Sequence, residues 1–243
     1  MRLYGKQPVL ERLRSAPQSV RGLILQQETD AAEIVQAAQA AKIRFLSKSK
    51  AEFAKLAPDV HAQGVLAEVE DFRYAAIEDL LKKPGPRPTL FLLDRVTDPQ
   101  NLGAILRALA CFGGVAVVLP KHESAEVTET VLRVACGGEN HVPVARVTNL
   151  ARACEQAKEA GYWIAGAAPS GGTPLHEADW PTPLALVLGS EGGGIRPGLE
   201  KHLDLALTLP MPGAKLSFNV ATAAALIAYE ITRRKLEKEN KTK

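Results

Sequence analysis

Leu184-Ala185-Leu186-Val187-Leu188 runs directly into Gly189-Ser190-Glu191-Gly192-Gly193-Gly194-Ile195. An apolar run of this length, bounded by glycine, reads as a strand buried on both faces. Three consecutive glycines cannot extend it, because glycine loses the most backbone freedom on ordering. They suit a tight loop that a ligand can approach as bare backbone. A buried strand feeding such a loop is where open α/β sheets hold cofactors.

Outward from this stretch the pattern keeps alternating. Strands are expected at 90–93, 115–119, 142–147, 162–167, 184–188 and 205–209. Helices are expected at 100–112, 127–135, 150–160 and 217–236. Continuous apolar strands separated by helices mean a mainly parallel sheet covered on both faces. The first 70 residues read as a smaller α/β unit, with helices at 5–15, 30–41 and 50–56 and strands at 20–25, 44–46 and 64–69. Between the two lies 71–88, with a short helix at 75–81 and then Lys82-Lys83-Pro84-Gly85-Pro86-Arg87-Pro88. Its prolines and glycine cannot continue a helix or a central strand. The expected organisation is therefore a domain at 1–70, a linker at 71–88 and a larger domain at 89–243.

Composition narrows the function classes. The chain has 243 residues, a net charge of +3 and 5% aromatic residues, so an RNA partner is permitted but extensive base stacking is not. No apolar run is long enough to span a membrane. Cys111, Cys136 and Cys154 show no metal-like spacing, and neither do the scattered histidines; no metal is expected. Sparse, unpaired cysteines fit buried thiols in a reducing cytoplasm. There is no G-x-x-x-x-G-K-[ST], and the glycine loop is not a G-x-G-x-x-G after a first strand.

Three clusters fall at or beyond strand ends. The first runs from Asp94 to Arg107, the second is the glycine loop, and the third runs from Leu209 to Ala221. Each has a plain structural explanation. Asp98-Pro99 is an ordinary helix start, Pro210, Pro212 and Gly213 can be a turn, and Ser217 can cap the last helix. Those explanations leave Gly103, Arg107 and Asn219 without a reason.

Taken in order, Asn101-x-Gly103-x-x-x-Arg107, Leu188-Gly189-Ser190-Glu191-Gly192, and Leu209-Pro210-Met211 with Ser217-Phe218-Asn219-Val220 resemble the three motifs of the SpoU/TrmH family. These are S-adenosylmethionine-dependent RNA ribose 2′-O-methyltransferases. The N-terminal unit resembles the family's L30e-like substrate-binding domain, through Tyr4-Gly5 and His61-Ala62-Gln63-Gly64-Val65. Pro143-Val144-Ala145-Arg146-Val147-Thr148-Asn149-Leu150 is closest to the branch that methylates a guanosine in 23S ribosomal RNA. Phe218 and Ala221 depart mildly from the family's usual Leu and Ser.

The resemblance implies a C-terminal SPOUT domain tied in a trefoil knot and a homodimer formed over the knotted region. It places S-adenosylmethionine against Gly189, Leu209 and Phe218, with Ala167, Ser190, Gly192 and Met211 nearby. It also implies catalytic work for Arg107, Asn101, Glu191, Ser217 and Asn219, with Arg107 beside the target ribose. Alternatives are a tRNA ribose 2′-O-methyltransferase, a catalytically silent RNA-binding homologue, and a Rossmann-type oxidoreductase.

Overall fold

The computed structural model describes residues 1–58, 61–82, 88–190, 192–214 and 216–241. Apolar alternation and helix signals place nearly every element where the sequence leads one to expect it. The N-terminal unit has strands β1 (Arg2–Tyr4), β2 (Val20–Gln26), β3 (Phe45–Lys48) and β4 (Val65–Val69) in the order β1-β4-β2-β3. β4 runs antiparallel to β1 and β2, and β3 runs parallel to β2. Helices α1 (Lys6–Ser15), α2 (Ala32–Ala40) and α3 (Lys50–Leu56) complete it. α3 opens with a capping box: Ser49 Oγ accepts from Glu52 N at 3.3 Å, and Glu52 Oε2 accepts from Ser49 N at 2.9 Å. β1 is too short to show a period, so nothing in the sequence announces it.

Helix α4 (Ile77–Leu81) follows. The Pro-Gly segment read as a linker falls largely on 83–87, outside the described residues. What precedes it is already anchored. Ala75 N donates to Val144 O at 2.8 Å, and Ile77, Leu80 and Leu81 are buried against the larger sheet.

That sheet has strands β5 (Thr89–Leu93), β6 (Val115–Pro120), β7 (Val144–Val147), β8 (Trp163–Ala168), β9 (Thr173–Pro174), β10 (Leu184–Leu188) and β11 (Leu205–Thr208). Their order is β7-β6-β5-β10-β8-β11-β9, and every pairing is parallel. Helices α5 (Pro99–Phe112), α6 (Glu129–Ala135), α7 (Leu150–Glu159), α8 (Pro197–Glu200) and α9 (Val220–Lys241) connect and cover the strands. Side chains alternate between two cores. Phe91, Leu93, Val117, Leu119, Leu186 and Leu188 enter one, while Leu90, Leu92, Val118, Ala185 and Val187 enter the other. Burial on both faces is why these strands read as unbroken apolar runs. The chain lays β6 and β7 on one side of β5, then returns to place β10 on the other. This reversal of strand order is where a crevice opens in such sheets.

The first core also includes Leu3, Val9, Leu10 and Leu13, so the N-terminal unit is packed onto the larger one. A buried ion pair crosses the junction, with Arg12 Nη2 2.9 Å from Glu139 Oε1. Burial pushes the Glu139 carboxyl up, against the opposing pull of Arg12. Of the thiols, Cys154 is buried and pushed up to about 12 by desolvation, which makes it inert near neutral pH. Cys111 is instead exposed and Cys136 half-buried, contrary to the expectation of buried thiols. No described helix is long and apolar enough to cross a membrane.

Glu230 orders the arginine that ties α9 down. Its carboxylate accepts from Arg233 and Arg234 at 2.7–2.8 Å, while Arg234 also donates to Leu175 O at 2.8 Å and stacks 4.7 Å over the Trp180 ring. The arginines hold the Glu230 carboxyl down at about 2. Because the folded state releases this proton more readily than the unfolded chain, the carboxylate's contribution is present above about pH 4.5 and is lost as pH falls towards 2. Glu230→Gln is expected to lower stability by roughly 1.5–3 kcal/mol at pH 7. Its urea midpoint should converge on that of the parent chain as the buffer is taken towards pH 2.

Candidate active site

The first motif is a helix start and its first two turns. Asp98 Oδ1 accepts from Gln100 N at 2.9 Å, and Pro99 occupies the first helical position of α5. Gly103 then has a packing reason. A Cβ there would lie 2.6 Å from Val134 Cβ and 2.9 Å from Val131 O. α6 thus rests on bare α5 backbone, and close packing offsets glycine's low helix propensity. Arg107 stands exposed farther along α5, and its Nη1 donates to Cys136 Sγ at 3.6 Å.

The glycine loop closes on itself. Ser190 N donates to Gly194 O at 3.2 Å, Gly194 N donates to Ser190 O at 3.0 Å, and Ser190 Oγ accepts from Gly193 N at 3.3 Å. A Cβ on Gly189 would lie 2.1 Å from the Gly194 carbonyl carbon, so only glycine fits at the loop's base. Behind it, Asp94 is fully buried at the end of β5. Its Oδ2 accepts from Arg196 N at 2.9 Å and its Oδ1 from Arg196 Nε at 2.6 Å. Arg95 Nη2 adds a bond to Gly194 O at 3.2 Å. Sequence reasoning missed this anchor. A carboxylate directly after an apolar strand was its only signal, and Arg196 had none. Glu191, expected to be catalytic, lies outside the described residues.

The third motif corrects one expectation. The last helix begins at Val220 rather than at 217, and its cap is Asn219, not Ser217. Asn219 Oδ1 accepts from Ala221 N at 2.9 Å and from Thr222 N at 3.4 Å. Its Nδ2 donates to Asn101 Oδ1 at 2.8 Å. Two asparagines 118 positions apart are thereby joined, and the first and third motifs with them.

A cavity of about 880 Å³ opens at the ends of β8, β10 and β11. Every residue expected to touch a cofactor lines it. Ala167 comes from β8, and Gly189, Ser190 and Gly192 from the loop. Leu209 and Met211 follow β11, and Phe218 precedes α9. Ser217 lines it as well, whereas Arg107, Asn101 and Asn219 do not. Val220, Ala223 and Ile227 add an apolar wall from α9 that sequence reading overlooked, though their spacing on one helix face could have revealed it. Bare peptide groups beside an apolar slot suit a purine, whose edge needs hydrogen bonds and whose faces need cover. A larger hollow of about 1090 Å³ lies at the opposite strand ends, around Trp180 and Pro183, and holds none of the motif residues. Among the described residues, no group of three or more His, Cys, Asp or Glu side chains could hold a metal ion.

A parallel sheet with a glycine-walled cavity at its strand ends is the architecture in which α/β enzymes hold nucleotide-like cofactors. Comparison with known proteins narrows the class. The SpoU rRNA methylase family model matches residues 88–229, and that of the RNA 2′-O ribose methyltransferase substrate-binding domain matches 2–75. The chain belongs to the SpoU/TrmH family and is an RNA 2′-O-methyltransferase.

It is 36% identical over 239 residues to a 23S rRNA (guanosine-2′-O-)-methyltransferase RlmB of Coxiella burnetii, covering 96% of this chain and 95% of that one. It is 44% identical over 176 residues to an uncharacterized tRNA/rRNA methyltransferase of Synechocystis, covering 71% of this chain and only 46% of that protein. The solved structure of a TrmH-family protein from Porphyromonas gingivalis superposes with a TM-score of 0.77 at 28% identity, covering 96% of this chain and 89% of that one.

Because Asp94 holds the loop from below, Asp94→Ala is expected to destabilise the fold by about 1–3 kcal/mol through the donors it leaves unpaired. It should weaken binding of S-adenosylhomocysteine more than binding of RNA. Chemical denaturation and calorimetric titration check the two effects separately.

Proposed function

We propose that this enzyme uses S-adenosylmethionine to methylate the ribose 2′-hydroxyl of a guanosine in 23S ribosomal RNA. The observation that carries the reading is the convergence of Ala167, the glycine loop, Leu209, Met211 and Phe218 on one cavity, with Asn219 bonded to Asn101 at its edge. The relatives at about 35% identity named for 23S rRNA guanosine support the choice of target. A SpoU methyltransferase from Streptomyces viridochromogenes, solved in complex with AdoMet, shares the fold with a TM-score of 0.80 at 21% identity, over 98% of this chain and 91% of that one.

When bound, S-adenosylmethionine supplies an already activated methyl group. The chain's task is to align the ribose and to manage its hydroxyl proton. The loop at 189–194, Leu209 and Phe218 hold the donor through backbone groups. Arg107 does not line the donor cavity, so we place it at the target ribose. An arginine side chain stays protonated at neutral pH, so its work there is to stabilise the developing alkoxide and grip a neighbouring phosphate. Asn101 and Asn219, locked together, fix the start of α5 relative to α9, and Ser217 and Glu191 are assigned to orienting the ribose and the loop. We assign substrate binding to residues 1–70 and catalysis to 89–243. Exposed Leu216, Phe218, Leu226 and Tyr229 leave an apolar surface beside the cavity, which supports a homodimer over the region expected to be knotted.

Tritiated methyl from S-adenosylmethionine is expected in 23S rRNA, at a guanosine ribose. Label confined to tRNA would favour the tRNA enzyme, and RNA binding without label would indicate a silent homologue. Arg107→Ala should lower kcat by roughly 10²–10³-fold with little change in cofactor affinity. Arg107→Lys should lose less, since it keeps the charge but not the planar fork.

A further inference from the structure

The buried ion pair at the junction of the two units has no part in the chemistry above, yet it ends beside Arg107. On the N-terminal side, Arg12 of α1 is 6% exposed. Its Nη2 meets Glu139 Oε1 at 2.9 Å and its Nη1 meets Ser19 Oγ at 3.3 Å. On the other side, Glu139 closes the turn 136–139 that follows α6, and its side chain is fully buried. Neighbours on both sides reinforce the contact. Glu11 Oε1 lies 2.7 Å from His141 Nε2, and a Cβ on Gly137 would lie 2.3 Å from Glu11 Cγ.

The same turn grips α5. A Cβ on Gly138 would lie 2.9 Å from Arg107 Cα and 2.9 Å from Leu106 O, so the turn rests directly on the backbone that carries the arginine. Cys136, held in a left-handed conformation at φ 52°, presents its sulfur to the guanidinium at 3.6 Å while its own thiol donates to Arg133 O at 3.3 Å. From α1 to Arg107 the contacts are continuous, and no flexible side chain intervenes between Glu139 and the α5 backbone.

Stability alone is a poor reason for this pair. Among the described residues, Arg12 Nε and Glu139 Oε2 are buried without a hydrogen-bond partner. Desolvating two charges and leaving two polar atoms unmet opposes folding, and apolar side chains of similar volume often stabilise such sites equally well. What an ion pair adds is a defined distance and direction between the two units.

We propose that the Arg12–Glu139 pair is a positioning device for Arg107, fixing the 136–139 turn from the N-terminal unit so that the turn holds Arg107 in place. The inference rests on the assignment of Arg107 to the reaction. It makes methyl transfer depend on how the N-terminal unit is seated, beyond that unit's own affinity for RNA.

The test uses the full-length chain and 23S rRNA as substrate. A double variant, Arg12→Met with Glu139→Met, replaces the pair by apolar groups. It is expected to keep the parent melting temperature within a few degrees and S-adenosylhomocysteine affinity within twofold, while kcat falls at least fivefold and KM for RNA changes less. Glu139→Gln, which keeps an acceptor for Arg12, should recover kcat to within twofold of the parent. A folded double variant with the parent kcat overturns the proposal. Should the double variant fail to fold, Gly138→Ala probes the same turn by pushing it from α5, and parent-level kcat there overturns the proposal as well. Arg107→Ala separates the two readings. If it retains activity, the assignment of Arg107 fails; if it is inactive while the folded double variant is not, only the positioning role fails.

Discussion

Helix α5 is fixed by contacts that leave no room for a single extra carbon. At Gly103 the second helix of the fold's catalytic half lies on its backbone, and at Gly138 a turn does the same one step farther along. Packed interiors respond to added volume by shifting, with costs of roughly 1–3 kcal/mol for overpacking. Backbone-on-backbone contact has no rotamer to yield. The positions of Asn101 and Arg107 therefore follow from missing side chains rather than from strong bonds.

The other motifs are then fastened to this helix and to the strand before it. Asn219 caps the final helix with its carbonyl and reaches Asn101 with its amide, so one residue both starts a helix and joins two motifs. Asp94 satisfies the backbone and the guanidinium of Arg196 together, which seats the glycine loop against the end of β5. Most buried polar groups in folded proteins have a hydrogen-bond partner. Here their partners come from sequence positions about a hundred residues away. The cavity is the space that these bonds leave open between β8, β10 and β11.

Much of this was legible in the chain. Leu184 to Leu188 and Leu90 to Leu93 read as buried strands because each is apolar on both faces. Asp98-Pro99 read as a helix start because its capping chemistry is local. Gly103 resisted explanation from sequence, since its reason is Val134 on another helix. Asn219 was left without a structural reason because Ser217 is an equally good cap on local grounds. β1 went unseen because three residues show no periodicity and its partner lies more than sixty positions on. Arg12 is buried, which nothing in the residues around it announces.

The sequence by itself determined the class of fold, the order of its elements, and the three motifs that mark an RNA ribose methyltransferase. The first two depend on interactions within a few residues or on apolar periodicity, and the third rests on resemblance to a known family. Tertiary structure decided which motif residues meet, that the cavity at the strand ends excludes Arg107, and that the N-terminal unit is pinned beside that arginine. Those outcomes depend on distances between segments far apart in the chain, which only the packed sheet and its helices set. The glycine loop shows both sides. Its composition announced a bare backbone surface, and the buried carboxylate of Asp94 decided where that surface stands.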